Sequence, residues 1–184
     1  RVRLARGLCD TRGIESAETS RRTSRKGAKQ MLEAIEAVKT VQSSEGRALS
    51  VIGEIIHIKL RGEDTGGAFA MFEDVTPPRG GVPPHIHHLE DETFYVIEGE
   101  YEFTVGGSAT RAGPGTTLFC PRDVPHSFRN IGTGAGRTLT IVSPAGFEKF
   151  FEEVDHFGRV EPAPLERLVE LGQKYGLNFV TAGV

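Results

Sequence analysis

Cysteine is scarce in this chain: of 184 residues only Cys9 and Cys120 carry a thiol. Two thiols so far apart in sequence make neither a disulfide framework nor a thiolate metal cluster, and they suit a reducing cytoplasm. Tryptophan is missing, and no apolar run approaches the roughly 20 residues needed to cross a bilayer. The Arg-, Ser- and Thr-rich first thirty residues also lack the apolar stretch of a secretory signal. Asp10, Glu15 and Glu18 interrupt their basic run, so a transit peptide is matched only loosely. Residues 1–30 therefore read as a disordered basic extension, and residues 31–184 as a single domain.

Charge is nearly balanced overall, at −3, but unevenly placed. Residues 1–29 carry +6 and the remainder −9. A body that acidic excludes a nucleic-acid-binding core.

What the chain does have is glycine, 23 residues of it, punctuating short β-like runs. Met31, Leu32, Ile35 and Val38 predict a short amphipathic helix over 28–38. From there the pattern changes to strands at 48–60, 67–75, 84–88, 92–98, 100–106, 116–120, 126–130 and 137–143. Eight short strands at this spacing indicate a β-sandwich, jelly roll or small barrel. After Pro144, Phe147, Phe150, Phe151 and Val154 return to helical spacing. A second helix is expected to start at Pro164 and stop before Gly176, with Leu165, Leu168, Val169 and Tyr175 as its apolar face. These two stripes are expected to pack on the outside of the barrel or on a partner subunit; the first could equally cap one open barrel end.

The chemistry concentrates in two blocks. His85 and His87 stand at i and i+2, so on a strand they share a face. Glu92 follows, and His126 comes from a later strand together with Phe128 and Asn130 on its own face. Three imidazoles and one carboxylate suit one divalent transition ion (Fe, Mn, Ni, Co, Cu or Zn) better than Ca or Mg, which prefer oxygen ligands. His88 lies on the opposite face from its neighbours, toward solvent or a carboxylate such as Glu90. Glu90 competes with Glu92 as ligand, but the spacing favours Glu92. His57 and His156 read as structural, and Cys120 as a small, inert buried side chain.

The two blocks resemble the signature of the cupin superfamily. The first is Gly80-Gly81-Val-Pro-Pro-His85-Ile-His87-His88-Leu-Glu-Asp-Glu92, then Gly99. The second is Gly115, then Pro121-Arg-Asp123-Val-Pro-His126, then Asn130, after a spacer of 15 residues typical of small microbial members. Two departures stand out. Gly80 is one residue closer to His85 than usual, and Asp123 replaces a turn glycine, which Asp can do because it tolerates left-handed backbone.

The resemblance implies an all-β double-stranded β-helix, or jelly-roll barrel, over about 48–143, with short N- and C-terminal helices, the latter within 144–184. It also implies His85, His87, Glu92 and His126 as metal ligands, and a homodimer. Residues 85–99 and 143–151 look most like small, single-domain quercetin dioxygenase-like cupins. That likeness implies a metal-dependent dioxygenase acting on a flavonol-like or enol substrate together with dioxygen, with Glu92 taking the substrate's acidic proton. Met71, Phe94, Phe103, Phe119 and Phe128 are the candidate pocket walls, with Tyr95 beside them. A non-redox isomerase, cyclase or lyase on the same barrel is the alternative, as is a non-catalytic metal- or ligand-binding module.

Overall fold

The computed structural model of the chain describes residues 26, 38–43, 45–158 and 165–180. The basic extension and the helix expected over 28–38 lie almost wholly outside the described residues. The described residues from Val41 onward form one compact unit.

Its strands are β1 (Arg47–Val51), β2 (Glu54–Leu60), β3 (Ala70–Thr76), β4 (Gly81–His87), β5 (Asp91–Glu98) and β6 (Tyr101–Val105). They continue as β7 (Ser108–Ala112), β8 (Thr117–Cys120), β9 (His126–Asn130) and β10 (Gly136–Ser143). Helices α1 (Glu148–Gly158) and α2 (Leu165–Lys174) follow, then β11 (Leu177–Phe179). One antiparallel sheet runs β1-β2-β3-β10-β5-β8 and the other β11-β4-β9-β6-β7. From β3 to β6, successive strands alternate between the sheets, the chain path of a jelly roll.

Alternation of side chains decides what each strand sends inward. On β3, Phe72 and Asp74 face the interior, while Met71 and Val75 on the other face are only half-buried. The interior holds two apolar clusters. One joins Leu49, Ile56, Phe72 and Val142 to the Phe147, Phe150, Phe151 and Val154 stripe. The other is built on Phe94, Val96, Tyr101, Phe103 and Phe128. The stripe therefore packs into its own barrel, not on the outside: the Phe151 ring meets Phe72 edge-on at 4.8 Å. Each buried phenylalanine contributes roughly 1.5–3 kcal/mol of burial free energy.

Several expected elements are corrected by the structure. Residues 48–60 form two strands, because Ile52 and Gly53 take left-handed backbone (φ 49° and 88°) and turn the chain. Strands β7 and β11 were not anticipated: β7 is polar and mostly exposed, and β11 has only three residues. Of the apolar face expected for α2, Leu168 and Tyr175 pack half-buried against the core, but Leu165 is exposed and Leu171 is the apolar side chain that is buried.

Strand β11 matters more than its length suggests. It pairs Leu177 with His87 and Phe179 with His85, closing the edge of the strand that carries both histidines. At the other end of β4, Gly81 has φ 148°, and a Cβ there would lie 2.1 Å from the Phe128 carbonyl oxygen. We expect Gly81→Ala to force β4 away from β9 and destabilise the protein by roughly 3 kcal/mol or more, by strain plus lost pairing. Denaturant unfolding checks this; a loss below about 1 kcal/mol would show that the β4 entry bends without cost.

Candidate metal centre

His85 and His87 come from β4, Glu92 from β5 and His126 from β9, so both sheets supply the cluster. All four are buried, and one donor atom from each lies within 4.8 Å of the others. The Glu92 Oε2 atom is 2.9 Å from His126 Nε2, 3.5 Å from His87 Nε2 and 4.0 Å from His85 Nε2. Donors bound to one ion at about 2.1 Å are separated by about 3–4 Å, so these residues fit a single transition ion.

The imidazoles are held from behind. His85 Nδ1 donates to the Pro83 carbonyl at 2.9 Å and His126 Nδ1 to the Val124 carbonyl at 3.0 Å, so each Nε2 is turned toward the cluster, that of His126 bonding Glu92 Oε2. His87 packs edge-on against Phe147 at 4.4 Å, and its Nδ1 is 3.4 Å from Glu90 Oε2. Glu90 thus stands behind His87 instead of joining the cluster. We expect Glu90→Gln to weaken Zn(II) affinity by roughly tenfold, since an outer carboxylate orients the imidazole and raises its basicity. Chelator competition measures this; unchanged affinity would leave Glu90 without a role in metal binding.

Electrostatics suit the same set. Burial pushes the Glu92 carboxyl up, but the charge of His87 and hydrogen bonds with His126 and His85 outweigh it and hold the group well below the usual carboxylate range. Burial lowers His85, favouring the neutral form a ligand needs. Burial also opposes protonation of His126, but the bond to Glu92 prevails and raises it.

The outer residues divide differently from expectation. His88 Nδ1 meets the Asp123 carboxylate at 2.5 Å, and Asn178 lies 3.1 Å from its Nε2. Its carboxylate partner is therefore Asp123 and not Glu90. Asp123 takes φ 64°, the left-handed turn that its substitution for glycine requires, and its amide donates to the His87 carbonyl. His57 and His156 lie outside the cluster. Burial and the charge of Glu92 push the buried Cys120 thiol up to about 12, as befits an inert side chain. Asn130 is buried but spends its amide on the carbonyls of Thr76 and Gly134.

A cavity opens beside the cluster, with about 610 Å³ of empty space including its mouth, of which about 60 Å³ admits a water-sized sphere. Phe94 and Phe128 line it as expected from the sequence. The other expected walls do not. Phe103 is buried behind them in the second apolar cluster, Met71 lies on the outer face of β3, and Phe119 and Tyr95 are exposed on the outer face of β8 and β5. Phe72 and the α1 phenylalanines take their place, together with Leu177 and two acids, Glu54 and Asp74. The helical period of 147–154 announced an apolar stripe, but period alone does not say which surface receives it. Nothing in the local sequence marked the two acids, which stand among strand residues that read as apolar or solvent-facing.

A model of the cupin domain family matches residues 72–142. SchB of Streptomyces halstedii is 30% identical over 102 residues, covering 54% of this chain and 74% of that protein. The chain is a cupin. Quercetin 2,3-dioxygenase of Bacillus subtilis is 27% identical over 111 residues, 60% of this chain. This cupin spans only 33% of that dioxygenase's length. Among solved structures, the polyketide cyclase RemF from Streptomyces resistomycificus is 26% identical with a TM-score of 0.52, over 58% of this chain and 79% of that one. No helix among the described residues is long and apolar enough to cross a membrane.

Proposed function

We propose that this cupin is a metal-dependent dioxygenase acting on an enol or flavonol-like substrate, with His85, His87, Glu92 and His126 binding one divalent transition ion. The observation that carries the reading is the convergence of these four buried donors, three of which (His85, His87 and Glu92) line an aromatic cavity. A bound ion supplies Lewis acidity toward an enol oxygen and, if redox-active, access to dioxygen chemistry. The chain's own groups do the rest. Phe94, Phe128 and Phe147 hold a flat ring and exclude water, which strengthens every electrostatic interaction at the cluster. Glu92 Oε2 is the acceptor for the substrate's acidic proton. A metal-bound carboxylate is a weak base, so this role requires its bond to the ion to loosen.

The space beside the cluster is tighter than a three-ring flavonol, so its entry requires the phenylalanines of α1 to give way. A one- or two-ring enol needs less displacement. A second reading, a non-redox cyclase or isomerase working through an enolate, draws support from the likeness to RemF and from Glu54 and Asp74, which can carry protons.

Metal analysis of untagged protein comes first, followed by oxygen uptake with a flavonol and enol panel on protein loaded in turn with Fe, Mn, Co, Ni, Cu and Zn. Uptake with a redox-active ion and none with Zn is the expected result. No uptake by any fully loaded form would sink the dioxygenase reading and leave the cyclase and the non-catalytic binder.

A further inference from the structure

Glu54 is the first residue of β2, just inside the Ile52–Gly53 turn, and only 6% of it is exposed. It lines the cavity that also contains His85, His87 and Glu92, and its Oε1 atom has no hydrogen-bond partner. A buried polar atom without a partner costs roughly 1–3 kcal/mol, so an arrangement that retains one calls for a reason.

Its neighbours narrow that reason. Asp74, the other acid in the cavity, is already engaged: Thr138 Oγ1 at 3.1 Å and Thr140 Oγ1 at 2.5 Å both donate to its Oδ2. Among the described residues five other buried polar atoms lack hydrogen-bond partners: His57 Nδ1, the Thr76 and Tyr101 hydroxyls, His87 Nδ1 and Glu90 Oε2. Of these residues His87 alone lines the cavity, and its Nδ1 faces Glu90 Oε2 at 3.4 Å. Of the groups facing the space, Glu54 is thus a polar atom left with unspent hydrogen-bonding capacity, surrounded by Val51, Ile56 and phenylalanine rings. The carboxyl is also pushed up to about 7, chiefly by burial, so near neutrality it can offer an O–H donor as well as an acceptor.

We propose that Glu54 is a specificity-determining residue, which recognises a hydroxyl or carbonyl oxygen on the part of the substrate remote from its metal-binding oxygens. The chemical class selected is a flat enol or hydroxy-ketone ring bearing a further oxygen substituent, in preference to the same ring without it. This assignment rests on the cavity being the substrate site, as proposed above, but not on dioxygen chemistry. The preference follows from asymmetry: a ligand lacking that oxygen leaves Glu54 desolvated and unpartnered, whereas one carrying it completes the bond.

The test uses full-length protein loaded with Zn(II) and two matched pairs of metal-binding probes. Allomaltol and kojic acid differ by one hydroxyl on a single ring, and 3-hydroxyflavone and quercetin differ in their peripheral hydroxyls. Dissociation constants are measured by calorimetry for the wild type, Glu54→Gln and Glu54→Leu, with metal content verified in each; Glu54→Ala replaces the leucine variant should that one not fold. In at least one pair the wild type should prefer the hydroxylated member by about fivefold to tenfold, the range of one hydrogen bond. Glu54→Gln, which keeps a donor and an acceptor, should retain that preference, and the apolar variant should reduce it to about one.

An apolar variant that keeps the wild-type preference in both pairs overturns the assignment, as does a loaded wild type that shows no preference or binds no probe. Oxygen uptake with quercetin on redox-metal-loaded protein is followed in parallel. Preference lost in the variant without any uptake by the wild type removes only the dioxygenase reading. Uptake with an unchanged preference removes only the role of Glu54.

Discussion

Glu92→Gln should bind Zn(II) at least about 100-fold more weakly than the wild type while remaining folded. Glu92 is buried, its Oε2 lies within 4.0 Å of all three imidazole Nε2 atoms, and it is the only carboxylate of the cluster. An amide has nearly the same shape but no charge. Three neutral imidazoles and an amide leave the double charge of an ion uncompensated in a dry site, and losing one partner of a buried charge pair typically costs about 3–5 kcal/mol, a factor of roughly 10² to several 10³. Chelator competition gives the affinity, and circular dichroism verifies the fold. Wild-type affinity in this variant would remove Glu92 from the ligand set and return attention to Glu90. If affinity falls yet saturating metal restores full turnover, Glu92 is a ligand without a role as base.

The second large effect is on stability as a function of pH. Metal-free protein should lose stability as pH rises from about 4.5 to 7, and Glu54→Gln should remove much of that loss. Glu54 has its folded pKa raised from 4.5 to about 7, chiefly by burial. Asp74 is raised well above its usual value by burial and by the charge of Glu54, with the Thr140 and Thr138 hydroxyls opposing. A raised carboxylate keeps its proton in the folded state while the unfolded chain releases it. The folded state is therefore favoured below the unfolded pKa and penalised progressively up to the folded one. For Glu54 the difference amounts to about 3 kcal/mol.

Glu92 works in the other direction, because its depressed pKa contributes stability above its unfolded value that is lost on acidification. Together these groups place the maximum near the unfolded carboxylate pKa, on the acid side of neutrality. Glutamine imitates the protonated acid, so Glu54→Gln should match the wild type at pH 5 and exceed it by up to about 3 kcal/mol at pH 8. Urea unfolding at the two pH values measures this. Parallel pH profiles for the two proteins would show that Glu54 titrates normally.

The cluster was legible in the sequence for a local reason. A period of two fixes His85 and His87 on one face whatever the rest of the fold does, and the structure buries both. The left-handed turn at Asp123 was legible too, since few side chains tolerate that backbone and Asp is one of them. The pocket walls were not. Strands β3 and β8 carry apolar residues on both faces, so period two separates Met71 from Phe72, and Phe119 from Leu118, without saying which goes inside. On β3 the inward face also carries Asp74 and Thr76, so apolarity there gave the wrong answer.

By itself the sequence determined the metal-type donor set, the order of its two blocks and the β-rich architecture, because these follow from spacing and side-chain chemistry along a few residues. The tertiary structure alone decided that Phe147, just before α1, meets His87 while Phe150 and Phe151 of α1 enter the barrel, that β11 closes the edge of β4, and that Glu54 and Asp74 share the cavity with the cluster. Those bring together residues from 11 (Asp74 and His85) to 94 (Phe179 and His85) positions apart in the chain. They depend on which face of each element wins burial when the two sheets close, a competition settled by the packing of the whole barrel.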